Sequence, residues 1–177
     1  MYKIVSINDK VRVNARLLGE NIKTAVYKAL IEEYEGKFDK NIGLFLSVIG
    51  IDRIGTGIIV PEDPAVYYDV DFRVLVYQPE IGELVEGEVK EIREFGAFIE
   101  IGPLDGLVHL SQVMDDIVGF SKTGILQGKK TKRTLKVGDH VKARVIAVSY
   151  RGEEIRIGLT MRQYGLGKKE WYKKGKR

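Results

Sequence analysis

Apolar and polar positions alternate most strictly in VYYDVDFRVLVY, Val66 to Tyr77. Val66, Tyr68, Val70, Phe72, Val74 and Val76 fall on one side, and Tyr67, Asp69, Asp71 and Arg73 on the other. A period of two predicts a strand with one face buried. YKIVSI, starting at Tyr2, is another β-type run, and IGLFLSVIGI, Ile42 to Ile51, is almost continuously apolar. The latter predicts a strand buried on both faces. Between them Ile22, Ala25, Val26, Ala29, Leu30 and Tyr34 recur at a spacing near 3.6. That period predicts a helix, with Asn21 as its N-cap and Gly36 in the position after its C-terminus. Glu32, Glu33 and Glu35 crowd the end of the helix that the macrodipole makes unfavourable for acids. Some other group is therefore expected to set that end.

The pattern changes after Pro79. LVEGEVKEIREFGAFIEIG, DGLVHLS, LKVGDHVKARVIAVS and EEIRIGLTMR are short strand-like pieces separated by turns. About five such strands suit a small Greek-key barrel, and Gly87 and Gly96 suit its bends. A longer connection runs from Gln112 to Leu135. The boundary is placed near Gln78–Gly82. The chain reads as α+β: an N-terminal domain over 1–80, a barrel over 81–165 and a basic tail over 166–177.

Composition narrows the functional classes. The 177 residues are 44% hydrophobic and 31% charged, which suits a folded globular protein. No apolar run reaches the length of a membrane span, and no apolar stretch follows Lys3 as in a signal peptide. With no Cys, disulfides, thiol catalysis and Cys-ligated zinc are excluded, and a cytoplasmic location is expected. Charge is uneven: residues 1–80 carry net −2 and residues 81–177 net +6. GKKTKR, Gly128 to Arg133, and the tail KKEWYKKGKR, Lys168 to Arg177, concentrate the excess. A basic second half suggests a polyanionic partner. His109 and His140 belong to no metal-ligating motif, and Asp69 and Asp71 read as a solvated strand face rather than a cation site. There is no P-loop, nucleophile elbow or GxGxxG. We expect no catalytic residues, no metal and no cofactor.

Two stretches stand out. RIGTGIIVPEDPA places Ile58, Ile59 and Val60 in a loop framed by Gly55, Gly57, Pro61 and Pro64. An apolar tip there is either a docking surface or a hairpin packed on itself. In REFGAFIEIGPLDGLVHLS, Phe95, Phe98 and His109 are either core or a stacking surface. Alternation puts Phe98 and Glu100 opposite Ala97, Ile99 and Ile101, hence Phe98 outside. Phe95 precedes the bend, and periodicity leaves its direction open.

GELVEGEVKEI, FGAFIEI, DGLVHLS, VGDHVKARVIAVS and RIGLTMR, in this order, resemble the S-one RNA-binding domain, an OB-fold. The resemblance implies that Phe95, Phe98 and His109 form an RNA face. Lys142 and Arg144, outward on VKARVIAV, are expected phosphate contacts, with Arg151 nearby. Ser149 stands where many members carry Asp, and the first barrel strand is acidic. Modest, salt-sensitive binding with little sequence preference is expected. Together with IGTGIIVPEDPAVYYDVDFRVLVYQP, the whole chain resembles the E-prime family of archaeal RNA polymerase subunits, counterparts of the seventh subunit of the nuclear polymerase. That resemblance implies a truncated RNP-like N-terminal domain whose tip docks on core polymerase. Here the tip is Gly55, Thr56, Gly57, Ile58, Ile59 and Pro61, with EDPA replacing a Gly-rich turn. It also implies a heterodimer with the F subunit and a stalk that meets single-stranded RNA near the exit. The alternative is a free-standing S-one module in translation or RNA decay.

Overall fold

The computed structural model describes residues 1–121, 123–152 and 154–172. The chain divides into two compact units, Met1–Gln78 and Pro79–Arg177.

In the first unit β1 (Tyr2–Asn14), β5 (Ala65–Tyr77), β3 (Gly43–Ile54) and β2 (Phe38–Asp39) form an antiparallel sheet in that spatial order. The short β4 (Ile58–Ile59) pairs with β5. Helix α1 (Ile22–Tyr34) packs Ala25, Val26, Ala29 and Leu30 against Val11, Val13, Phe45, Val70 and Phe72. Burial of side chains such as Val26 and Leu30 stabilises the unit by about 1.5–3 kcal/mol each. The Asn21 side chain accepts the Lys23 N–H at 2.9 Å. At the other end Gly36 takes φ +77°, the left-handed geometry that lets the chain turn off the helix. Glu35 there has an intrachain partner, since its carboxylate accepts the Val48 N–H at 2.9 Å.

β3 is buried on one face rather than two. Phe45 and Val48 face α1, while Ile49 lies exposed. Its pairing with β5 shifts register between Phe45 and Ser47, between Val48 and Gly50, and between Ile51 and Arg53. Each extra residue breaks strict alternation, so apolar residues appear on both sides of a sheet that α1 covers on one.

The second unit is a closed barrel in the order β12-β13-β8-β7-β6. Its strands are β6 (Leu84–Arg93), β7 (Gly96–Glu100), β8 (Asp105–His109), β12 (His140–Arg151) and β13 (Glu154–Thr160). A Cβ at Gly87 would run into the Glu100 carbonyl, and one at Gly96 into that of Val108. Both glycines are needed for close strand approach. The 112–135 connection carries its own small sheet of β9 (Val118–Phe120), β10 (Leu126–Gly128) and β11 (Thr134–Leu135). Val113, Met114, Leu126 and Leu135 join the barrel's core cluster. The GKKTKR run forms a turn held by Asp116, whose Oδ2 accepts from the Lys130 and Thr131 N–H groups at 2.9 and 2.7 Å.

The sequence pattern ends the barrel at residue 165, but the structure carries its packing to Tyr172. Leu166 is buried, and Gly167 exchanges two backbone hydrogen bonds with Lys142. Trp171 packs on Gly167 and the core cluster. The Arg133 guanidinium lies 5.8 Å from the Trp171 ring centre. Lys168 Nζ meets Asp139 Oδ2 at 2.9 Å, with the two side chains only 13% and 9% exposed. The most basic part of the tail, residues 173–177, lies outside the described residues. Among the described residues, no helix is long and apolar enough to cross a membrane.

Candidate nucleic-acid interface and docking tip

Three barrel strands build the aromatic surface. Ala97 and Ile99 of β7 point into the core, so Phe98 between them points out. The β7–β8 register sets Leu107 opposite Phe98 and His109 opposite Gly96. Val108 is buried, so Leu107 and His109 share the outer face with Phe98. Phe95, whose direction periodicity left open, is 46% exposed. Its ring meets Phe98 edge to face, with centres 6.1 Å apart and planes at 89°. Such pairing fixes ring orientation. On the adjoining β13, Gly158 lies beside Leu107, and no side chain rises there. The two rings thus open onto a groove of about 510 Å³, lined also by Asp105, Leu107, Ile155 and Arg156. Arg156 pairs with Glu154 at 3.2 Å, both well exposed, a contact weak enough for a phosphate to displace.

His109 is oriented by its own neighbourhood. Its Nδ1 accepts the Ser111 N–H at 3.3 Å and lies 2.9 Å from Ser111 Oγ. With Nδ1 the acceptor, the neutral ring carries its proton on Nε2. The ring borders a pocket of about 650 Å³ shared with Lys130 and with the Arg162–Asp115 pair at 2.9 Å.

Of the other sequence-derived candidates, two lie elsewhere on the barrel. Lys142 and Arg144 line a separate groove of about 370 Å³ with Glu86 and Tyr164, sharing no residue with the aromatic one. Lys142 Nζ lies 2.8 Å from Glu86 Oε1, and this hydrogen bond holds the Glu86 carboxyl below its usual range. Arg151 is exposed at the end of β12, in register with Glu154. The structure therefore brings Phe95, Phe98 and His109 to one outer face, with Arg151 beside Glu154 at the edge of its groove, and sets Lys142 and Arg144 apart from them. Sequence reasoning missed Leu107 and Tyr164: only strand register sets the first beside Phe98, and no pattern marked the second. The acids of β6 and its neighbour are largely partnered. Glu91 pairs with Arg93 at 2.8 Å, and Lys90 sits 3.3 Å from Asp105 and 4.0 Å from Glu100.

In the first unit the 55–61 tip stands free of its own core. Thr56, Gly57, Ile58, Ile59 and Pro61 are exposed, Ile59 to 75%. Neither Gly55 nor Gly57 takes a left-handed φ; in this loop Glu62 does, at +69°. The glycines serve close approach instead. The Gly55 N–H donates to Asp69 O at 2.7 Å, and a Cβ on Gly57 would come within 2.7 Å of Tyr68 and Val66. Asp63 anchors the loop, accepting from Arg12 Nη2 and Nε at 2.5 and 3.0 Å and from the Tyr67 hydroxyl at 2.7 Å. Those bonds, Arg12's first, hold the Asp63 carboxyl below the usual range. Of the two strand-face acids, Asp71 is engaged by Arg53 at 2.6 Å and by Asn8 at 2.5 Å.

A five-stranded barrel with outward rings on adjoining strands defines a single-stranded nucleic-acid-binding class. Residues 78–160 match the S1 RNA binding domain, and residues 8–64 match the SHS2 domain found in the N terminus of Rpb7p/Rpc25p/MJ0397. The DNA-directed RNA polymerase subunit Rpo7 of Sulfolobus acidocaldarius is 40% identical over 173 residues, 97% of this chain and 94% of that protein. Rpo7 of Saccharolobus solfataricus is 39% identical over 174 residues, 97% of each chain. DNA-directed RNA polymerase II subunit 7 of Arabidopsis thaliana is 27% identical over 117 residues, 66% of each. The chain belongs to the Rpo7 family of DNA-directed RNA polymerase subunits.

Proposed function

We propose that this subunit is an accessory, non-catalytic part of the polymerase stalk, working in the cytoplasm. Its first unit docks on core polymerase through the Gly55–Pro61 tip and pairs with the F subunit. Its barrel holds nascent single-stranded RNA near the exit, with bases on Phe95 and Phe98, a polar contact from His109, and Arg156 and Arg151 near phosphates. The observation that carries the RNA reading is the outward, mutually braced Phe95–Phe98 pair opening onto an apolar-floored groove. Outward rings of this kind stack bases regardless of sequence. Fluorescence anisotropy with a labelled single-stranded RNA of about 16 nucleotides tests it. Phe98→Ala should weaken binding about five- to 150-fold, the equivalent of one lost stacking contact. Unchanged affinity in a folded variant would refute the reading.

A further inference from the structure

We propose that the groove of Tyr164, Arg144 and Lys142 is a second contact for single-stranded RNA, taking a base on the Tyr164 ring and its phosphate on Arg144. The inference rests on the RNA reading of the barrel but uses none of the Phe95–Phe98 groove.

Tyr164 is 94% exposed, so nearly all of its ring is open to a stacking partner. Tyr172 meets it edge on, with centres 5.3 Å apart and planes at 72°. Tyr172 is itself fixed, since its hydroxyl donates to the Leu166 carbonyl and the Arg133 guanidinium lies 5.4 Å from its ring centre. An edge contact of this kind leaves the faces of the Tyr164 ring free for a base.

Arg144 supplies the second, independent observation. Its Nε is buried and meets no acceptor among the described residues. Buried donors are nearly always paired, and because Arg144 lines the groove, an acceptor entering it can engage this guanidinium. Phosphate oxygens match a guanidinium in geometry and charge. Lys142 and Arg144 against Glu86 leave the groove one positive charge in excess. Leu84 and Leu166 complete its walls with apolar surface suited to a sugar and a base edge. A protein partner would need a carboxylate and an aromatic side chain placed side by side, whereas a single nucleotide carries both an anion and a stacking plane. That combination favours a nucleotide.

The test uses the full chain and a single-stranded RNA of about 16 nucleotides, the upper end of what one such barrel spans. Tyr164→Ala should weaken binding about five- to 150-fold with thermal stability unchanged, because the ring lies outside the fold. Arg144→Gln should reduce the slope of log affinity against log salt by about 0.7, the value for one single-strand phosphate contact, while Arg144→Lys keeps that slope. Wild-type affinity in Tyr164→Ala would overturn the proposal. So would unchanged RNA affinity together with loss of a co-purifying polymerase subunit, which would make the groove a protein contact. Phe98→Ala run in parallel separates the two readings. If it alone weakens binding, this inference fails; if Tyr164→Ala alone does, the aromatic groove fails and this one stands; if both are silent, both fall.

Discussion

Replacing Lys168 by Met strips the counter-charge from an Asp139 carboxylate whose side chain is 9% exposed. Removing one partner of a buried ion pair typically costs about 3–5 kcal/mol, because the remaining charge stays desolvated. Here Asp139 keeps one donor, the Lys136 N–H at 2.8 Å, which places the expected loss near the low end, about 3 kcal/mol. A local route limits it. The 166–172 segment can lift away and hydrate Asp139, sacrificing chiefly the burial of Leu166, about 2 kcal/mol, and part of Trp171. Trp171 is the sole Trp of the chain, so its fluorescence reports the segment directly. Urea unfolding followed by Trp171 fluorescence and by far-UV circular dichroism distinguishes the two routes. The fluorescence midpoint of Lys168→Met should fall by at least about 1 M, given slopes of about 1–3 kcal/mol per molar urea. A dichroism midpoint that falls less marks local detachment. Adding Asp139→Leu should restore stability to within about 1 kcal/mol of wild type, since no buried charge is then left alone. A single Lys168→Met variant within about 0.5 kcal/mol of wild type by both probes would show that the pair is solvated, and the reasoning would fail.

Gly57→Glu should abolish recovery of polymerase core subunits with the tagged chain, because a side chain there displaces Tyr68 and Val66 beneath the tip; undiminished recovery would remove the tip from docking. Gly87→Ala should destabilise the barrel by more than about 3 kcal/mol in chemical denaturation, since its methyl has no room beside the Glu100 carbonyl. Asp116 is held below the usual carboxylate range, first by the Thr131 N–H, with further help from the Thr131 hydroxyl. Its stabilisation of the 128–133 turn is therefore complete above the ordinary Asp value of about 3.9 and lost as pH falls through the depressed folded value. The Thr131 amide resonance should titrate there in wild type and stay flat in Asp116→Asn.

The local elements were legible where one period governs one environment. Val70, Phe72, Val74 and Val76 keep strict alternation in a central strand, and all four are buried. Asn21 and Gly36 bracket α1 through capping chemistry that acts within a few residues. Where longer-range geometry decides, sequence reading stopped short. The three bulges of β3 cannot be read from an unbroken apolar run, so its burial was overestimated. Phe98 was legible as outward because Ala97 and Ile99 flank it, whereas Phe95 precedes the bend at Gly96, across which period carries no information. Lys142 and Arg144 were correctly outward, but alternation says nothing about which way round a closed barrel a face looks. Tyr164 comes near them through the two backbone bonds between Gly167 and Lys142, a contact of which composition gives no hint.

The barrel closes through a parallel pair, β8 with β13, joining residues 106–108 to residues 157–159. Chain growth therefore imposes an order of events. When β6, β7 and β8 have been synthesised, Val89, Ala97, Ile99 and Val108 form one side of an open sheet whose other side does not yet exist. Non-local pairing of this kind is slow because loop closure must precede the contacts that reward it. The insertion between these strands contributes Val113, Met114, Leu126 and Leu135 to the same core and so offers those residues an earlier cover. A nascent chain arrested before β13 should thus persist as a compact but unclosed intermediate, sensitive to protease until Ile157 and Leu159 arrive.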